Sequence, residues 1–249
     1  MLAKPSPADV TRPLPPKSRF FCWSGFFIVF GLVLTSACSH DTAATLASAS
    51  FVARAAMPGN AEGALPARLD PRYRYLRVQV SQATPALMVL GYLDPHPLGP
   101  IEVWYSATGE VLKLQNGRVV ATQGLATDWP MVRFERAPVA WAEVGVQAST
   151  YVRLRDEIPS YRYGLRQTVA IEPYPQAPML EGLTGIPTHV AAKYRWYREA
   201  VQGSDGSPSV SWFALGLHRG VESVVFSEQC IAANLCLHIQ PWPVDEGDL

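Results

Sequence analysis

The sequence predicts a mainly β protein, an antiparallel sandwich or barrel built from meander hairpins. Two observations carry this. From Asp70 onward short apolar segments alternate at period two, as half-buried strands do. Turn signals such as Asn116-Gly117 and Gly203-Ser204-Asp205-Gly206-Ser207 separate them at hairpin spacing. No repeat of fixed period is visible.

The chain has 249 residues and opens with a stretch that does not read as part of that domain. Lys4, Arg12, Lys17 and Arg19 precede the apolar run FFCWSGFFIVFGLVLTSAC, Phe20 to Cys38. A basic region, an apolar region and small residues before a cleavage point are the parts of a secretory signal. Thr35-Ser36-Ala37-Cys38 is similar to a bacterial lipobox, in which the cysteine is acylated and becomes the first mature residue. Ser36, Ala37 and Cys38 fit that pattern, whereas Thr35 stands where it prefers Leu. The competing reading is an uncleaved membrane span, since about 18 apolar residues can just cross a bilayer. Against it, no cluster of Lys or Arg follows Cys38. The expected organisation is a lipoprotein signal over 1–37, a lipidated tether over 38–69, a β-rich periplasmic domain over 70–243 and an acidic tail over 244–249. Ser39, by enterobacterial sorting rules, favours the outer membrane over the inner membrane.

In the tether, Asp41 is placed to cap a helix from Thr42 to Ala56, and Gly59, Gly63, Pro58 and Pro66 end it. Arg74 to Val80 reads as the first strand, with Leu76, Val78 and Val80 on one face and Tyr75, Arg77 and Gln79 on the other. Ala86 to Leu93 is a second strand, and the prolines of Asp94 to Pro100 make a loop. Ile101 to Ser106, Val111 to Leu114 and Arg118 to Thr122 form a three-strand meander. Met131 to Phe134 and Val139 to Val144 are expected as short strands. Ser149 to Ile158 and Gly164 to Glu172 form a hairpin through Pro159-Ser160. Pro173 to Pro187 reads as a linker or an extended edge strand. Lys193 to Val201, Ser209 to Leu217, Val221 to Phe226 and Leu235 to Gln240 complete the strands. Thr188 to Ala200 has helical potential, but Tyr194, Trp196 and Tyr197 favour a strand.

Composition excludes some functions. The formal charge of the whole chain is +0; without the signal residues, 17 basic residues stand against 20 acidic ones, a charge of −3. A polyanion-binding footprint for nucleic acid is absent. Of the 4 cysteines, Cys22 falls in the signal and Cys38 carries lipid, which leaves Cys230 and Cys236. Export places this pair in an oxidising compartment, where a disulfide is the expected state. A metal site with His238 as third ligand lacks a nearby fourth, so no metal or other cofactor is expected.

Three passages carry a family resemblance. Trp104-Tyr105-Ser106-Ala107-Thr108-Gly109-Glu110-Val111-Leu112, continued by Gln115-Asn116-Gly117-Arg118-Val119-Val120, resembles the YjbF/GfcB family of outer-membrane lipoproteins. So do Tyr151-Val152-Arg153-Leu154-Arg155-Asp156 and Tyr161-Arg162-Tyr163-Gly164-Leu165, and the likeness spans roughly Asp70 to Pro241. These proteins are encoded beside capsule and exopolysaccharide secretion genes. The resemblance implies a role in making or exporting a surface polysaccharide, with an outer-membrane partner. It supplies no catalytic residue.

No nucleophile elbow, phosphate-binding loop or HExxH helix is present. Glycoside hydrolysis needs only two carboxylates, and Glu102, Asp128, Glu135, Asp156 and Glu157 are available; their simpler role is as solvated or arginine-paired groups. The arginine–aromatic mixtures are the better lead. Arg72, Arg74, Arg162, Arg195, Trp196 and Arg198 are candidate glycan-facing residues, because aromatic faces stack on sugars and arginine forks bind carboxylates. An acidic polysaccharide is the corresponding ligand. Period-two strands put aromatics inside and arginines outside with no ligand at all. The expected function is a non-enzymatic accessory lipoprotein; the alternatives are a periplasmic glycan-modifying enzyme and a β-barrel that carries lipid in an apolar cavity.

Overall fold

The computed structural model describes residue 65 and residues 68–145, 149–180, 183, 186–203 and 209–244. The segments expected as signal peptide, acylation site at Cys38, tether helix and acidic tail lie outside the described residues, apart from the tether's last positions and Val244.

Among the described residues, twelve strands form one antiparallel sheet: β1 Tyr75–Val80, β2 Ala86–Asp94, β3 Ile101–Ser106, β4 Val111–Gln115, β5 Arg118–Gln123, β6 Val132–Arg136, β7 Ser149–Glu157, β8 Arg162–Tyr174, β9 Arg195–Gly203, β10 Ser209–His218, β11 Val221–Ala232 and β12 Leu235–Trp242. Their order is β5-β4-β3-β2-β1-β12-β11-β10-β9-β8-β7-β6. Every two strands consecutive in sequence except β5 and β6 are therefore adjacent in the sheet, and β1 pairs with β12 to join the first strand to the last. Of the two architectures expected from sequence, the barrel is the one formed, and it is nearly closed. The remaining opening is a seam between β5 and β6.

Local sequence explains most of this. Asn116 and Gly117 join β4 to β5 with φ of +51° and +80°, the geometry that a two-residue hairpin turn needs and these residues tolerate. A Cβ on Gly117 would stand 2.5 Å from the Val224 side chain, so the turn also lies close against β11. Leu76, Val78, Met88, Trp104, Leu112, Leu114, Leu237 and Ile239 supply one contiguous apolar cluster. Tyr151, Val169 and Val201 form another, between β7, β8 and β9. Cys230 and Cys236 are disulfide-bonded across β11 and β12.

Three expectations change. Val139 to Val144 is not a strand; it is a loop containing a 3-10 turn, Trp141–Glu143. Its apolar residues Val139, Trp141 and Val144 pack on Ile171, Tyr197, Phe213 and Leu215 instead of entering a ladder. Thr188 to Ala200 is divided between one helical turn, α1 Thr188–Ala191, and β9. The proline-rich segment before α1 is neither an edge strand nor a bare linker. Tyr174, Ala177, Leu180, Leu183 and Ile186 pack with α1 over Trp196, Ala214, Val225 and Phe226, as an outer layer on the sheet. The second face of β1 is also covered: Tyr75 and Arg77 are buried along with Leu76 and Val78.

Two tryptophans close the barrel. Trp129, from the β5–β6 connection, is sandwiched between Arg153 and Arg155, whose guanidinium carbons lie 4.9 and 5.0 Å from its ring centroid. Trp141 sits at the opposite end. Its Nε1 donates to Asn116 O at 2.9 Å, and Arg118 lies 3.9 Å from its ring centroid.

Candidate functional site

The mouth closed by Trp141 is where β1 begins, β12 ends, and the β4–β5 and β10–β11 turns meet. A cleft of about 280 Å³ opens there. Arg74, Glu102, Trp104, Asn116, Trp141, His218, Arg219, Glu222 and Trp242 are among its walls. Arg74, immediately before β1, stands beside Glu102 of β3, and Arg74 Nη2 donates to Glu102 Oε1 at 2.6 Å. Arg74 also lies 5.6 Å from the centroid of Trp104. Glu222 at the start of β11 accepts from Arg195 Nη2 of β9 at 2.6 Å. A second cleft of about 260 Å³ lies at the β5–β6 seam and shares Asn116 and Trp141 with the first.

Below Trp141 the interior is polar and enclosed. Arg118 Nε donates to Glu199 Oε1 at 2.8 Å, and Tyr151 Oη donates to Glu199 Oε2 at 2.7 Å. Both members of the ion pair are 3 % exposed. Burial first, and then the Glu199 carboxylate, push the Tyr151 phenol above its ordinary pKa. Gln229 of β11 accepts from Val119 N at 2.9 Å and donates to Gly117 O at 2.9 Å. It thereby occupies a β5 amide that no β6 carbonyl reaches. The space that a lipid-carrying barrel needs as an apolar cavity is crossed here by a salt bridge and its hydrogen bonds.

The sequence-selected residues do not gather in one place. Arg74 lines the mouth, and Arg195 reaches it through Glu222. Arg72 pairs with Asp70, Arg162 with Glu157 and Arg198 with Glu172. Trp196 is not glycan-facing: it is 2 % exposed under α1, and its Nε1 donates to Ala191 O at 2.8 Å. Period-two alternation split Tyr194-Arg195-Trp196-Tyr197-Arg198, sending Tyr197 inward and Trp196 beneath the outer layer. The mouth residues Trp104, Trp141, Glu222 and Trp242 were not selected, because their meeting depends on closure of the barrel.

Each carboxylate considered for acid–base work has a local partner. Glu102 holds Arg74, Glu135 holds Arg166, and Asp156 accepts from Gly164 N. Asp128 accepts from Gly124 N and Leu125 N. Burial opposes ionisation of Glu157, but hydrogen bonds from Ser160, Arg162 and Arg155 outweigh it and hold the carboxyl at about 2. Its unfolded value is near 4.5, so its contribution to stability is complete above that pH and is lost as pH falls toward about 2. Glu157→Gln should therefore lower the melting temperature at neutral pH, and the gap to the unmodified protein should close through this window. A gap that stays constant on acidification would contradict it.

Residues 70–180 match a family profile described as group 4 capsule polysaccharide lipoprotein gfcB, YjbF. That stretch is similar to the YjbF family. The YjbF match covers β1 to β8, so the mouth's β1 and β3 walls fall inside it and the β11 and β12 walls beyond it. A crystal structure of the hypothetical lipoprotein YmcC from Escherichia coli K12 has a similar fold, with a TM-score of 0.52 at 15 % identity, over 82 % of this chain and 94 % of that one. No curated protein matches the sequence. Among the described residues no helix is long and apolar enough to cross a membrane.

Proposed function

We propose that this protein is an accessory lipoprotein in the synthesis or export of a surface polysaccharide, capsule or exopolysaccharide, and acts by binding glycan or an outer-membrane partner. The observation that carries this reading is the match of residues 70–180 to the capsule polysaccharide lipoprotein family. Acylation of Cys38 anchors the chain in the outer membrane, and the barrel faces the periplasm. More than one acyl chain at one residue suffices for stable anchoring, so the barrel is left free to bind.

A clean deletion in the producing strain should abolish or sharply reduce surface polysaccharide. The unmodified gene should restore it and the Cys38→Ala form should not. Labelling with a radioactive fatty acid should mark the unmodified protein and not the variant. Unchanged polysaccharide after deletion would sink the proposal, and an unlabelled wild-type protein would sink the anchor.

A further inference from the structure

Two ion pairs stand at the mouth cleft, one in its wall and one at its edge. Arg74–Glu102 and Arg195–Glu222 keep between 28 and 50 % of their side-chain surface exposed. Exposed pairs of this kind contribute about 0–1 kcal/mol, unlike the enclosed Arg118–Glu199 pair. Each couple does, however, set guanidinium N–H donors beside carboxylate acceptors at the edge of a concave, tryptophan-lined space. A sugar hydroxyl donates and accepts at once, and neighbouring hydroxyls on a ring match such a couple. Trp242 and Trp141, both half-buried, offer apolar ring surface to sugar C–H faces. Trp104 lines the same cleft, and its buried Nε1 has no hydrogen-bond partner among the described residues.

Charge narrows the ligand. Arg74, Arg219, Glu102 and Glu222 line the cleft, and Arg195 stands at its edge on Glu222. Arg74 and Arg195 are each already bound to one of the two carboxylates, so a polyanion entering the cleft would have to compete with Glu102 and Glu222 for their guanidinium groups. Resting on the polysaccharide role proposed above, we infer that the mouth cleft is a saccharide site for an uncharged stretch of glycan rather than an acidic one. At about 280 Å³ it lies just below the roughly 300–1,000 Å³ of drug-sized ligand sites. That is room for one or two sugar rings, held from one end of the barrel.

The test uses the full-length lipoprotein in detergent and oligosaccharides released by partial hydrolysis from the producing strain's own surface polysaccharide. Anion exchange divides these into uncharged and charged pools, and saturation-transfer NMR with titration calorimetry measures binding. The uncharged pool should bind, and Trp242→Ala and Glu222→Gln should each weaken it by about tenfold. Glu222→Gln retains shape, so an unchanged melting temperature in that variant separates loss of the site from loss of the fold. Tighter binding of the charged pool, no binding of either, or unchanged affinity in both variants would overturn the inference. If deletion removes surface polysaccharide while Trp242→Ala and Glu222→Gln both restore it fully, the cleft assignment fails and the accessory role stands. If deletion leaves polysaccharide intact, the accessory role itself fails.

Discussion

Arg118→Met should destabilise the protein by about 3–5 kcal/mol, the usual cost of leaving one member of a buried ion pair uncompensated. Arg118 and Glu199 lie 81 residues apart in sequence and meet across the barrel at 2.8 Å. β5 and β9 are not neighbours in the sheet, so the pair bridges the interior. Removing the guanidinium strands a carboxylate that retains one hydrogen bond, from Tyr151. It also takes the cation from beneath Trp141. The triple replacement Arg118→Met, Glu199→Leu, Tyr151→Phe removes charge and unpaired polar groups together and keeps most of the volume. It should recover most of the loss, because well-packed apolar residues in place of a buried pair are often neutral or better. Urea unfolding of the single and triple variants decides the matter. Equal losses in both would mean that the damage is packing, and that the ion pair contributes little.

That network marks the limit of what the sequence discloses. Period-two alternation at Leu76, Val78 and Val80 and the turn at Asn116-Gly117 are local, and they located the strands and the first meander. Closure is not local. Nothing in Tyr75 or Trp242 announces that they stand opposite each other in the β1–β12 pair. Val139 and Trp141 alternate as a strand would, yet the loop they belong to spends them on closing the barrel mouth. The proline-rich segment covers the outer surface of β9 to β11, where Leu180, Leu183 and Ile186 pack with Trp196, Ala214 and Phe226. The site was half legible for the same reason. Arg74 was selected from its own neighbourhood, whereas Glu222 and Trp242 gain meaning only when distant strands converge on one mouth.

Trp129→Ala should cost about 3–5 kcal/mol, as large-to-small changes at enclosed aromatic positions do, and its effect should concentrate at the seam. Trp129 is 4 % exposed. Its Nε1 donates to Ile231 O at 3.0 Å, beside the shift in register between Cys230 and Ala232. A bulge leaves a residue outside the ladder, and this carbonyl finds its partner in the indole. The Trp129 backbone meanwhile joins β5, accepting from Thr122 N at 2.8 Å and donating to Thr122 Oγ1 at 2.9 Å. One residue thus closes the end of an opening that no β5–β6 ladder spans, with the guanidinium groups of Arg153 and Arg155 against its ring. Trp129→Phe keeps a ring between Arg153 and Arg155 but orphans the Ile231 carbonyl, so its loss should be nearer 1–3 kcal/mol. Hydrogen exchange supplies the spatial readout: the Thr122 amide and the β6 amides should lose protection in Trp129→Ala well before those of β1 and β12. Uniform loss across the sheet would show that the seam unfolds only with the whole barrel, and that Trp129 acts as ordinary core.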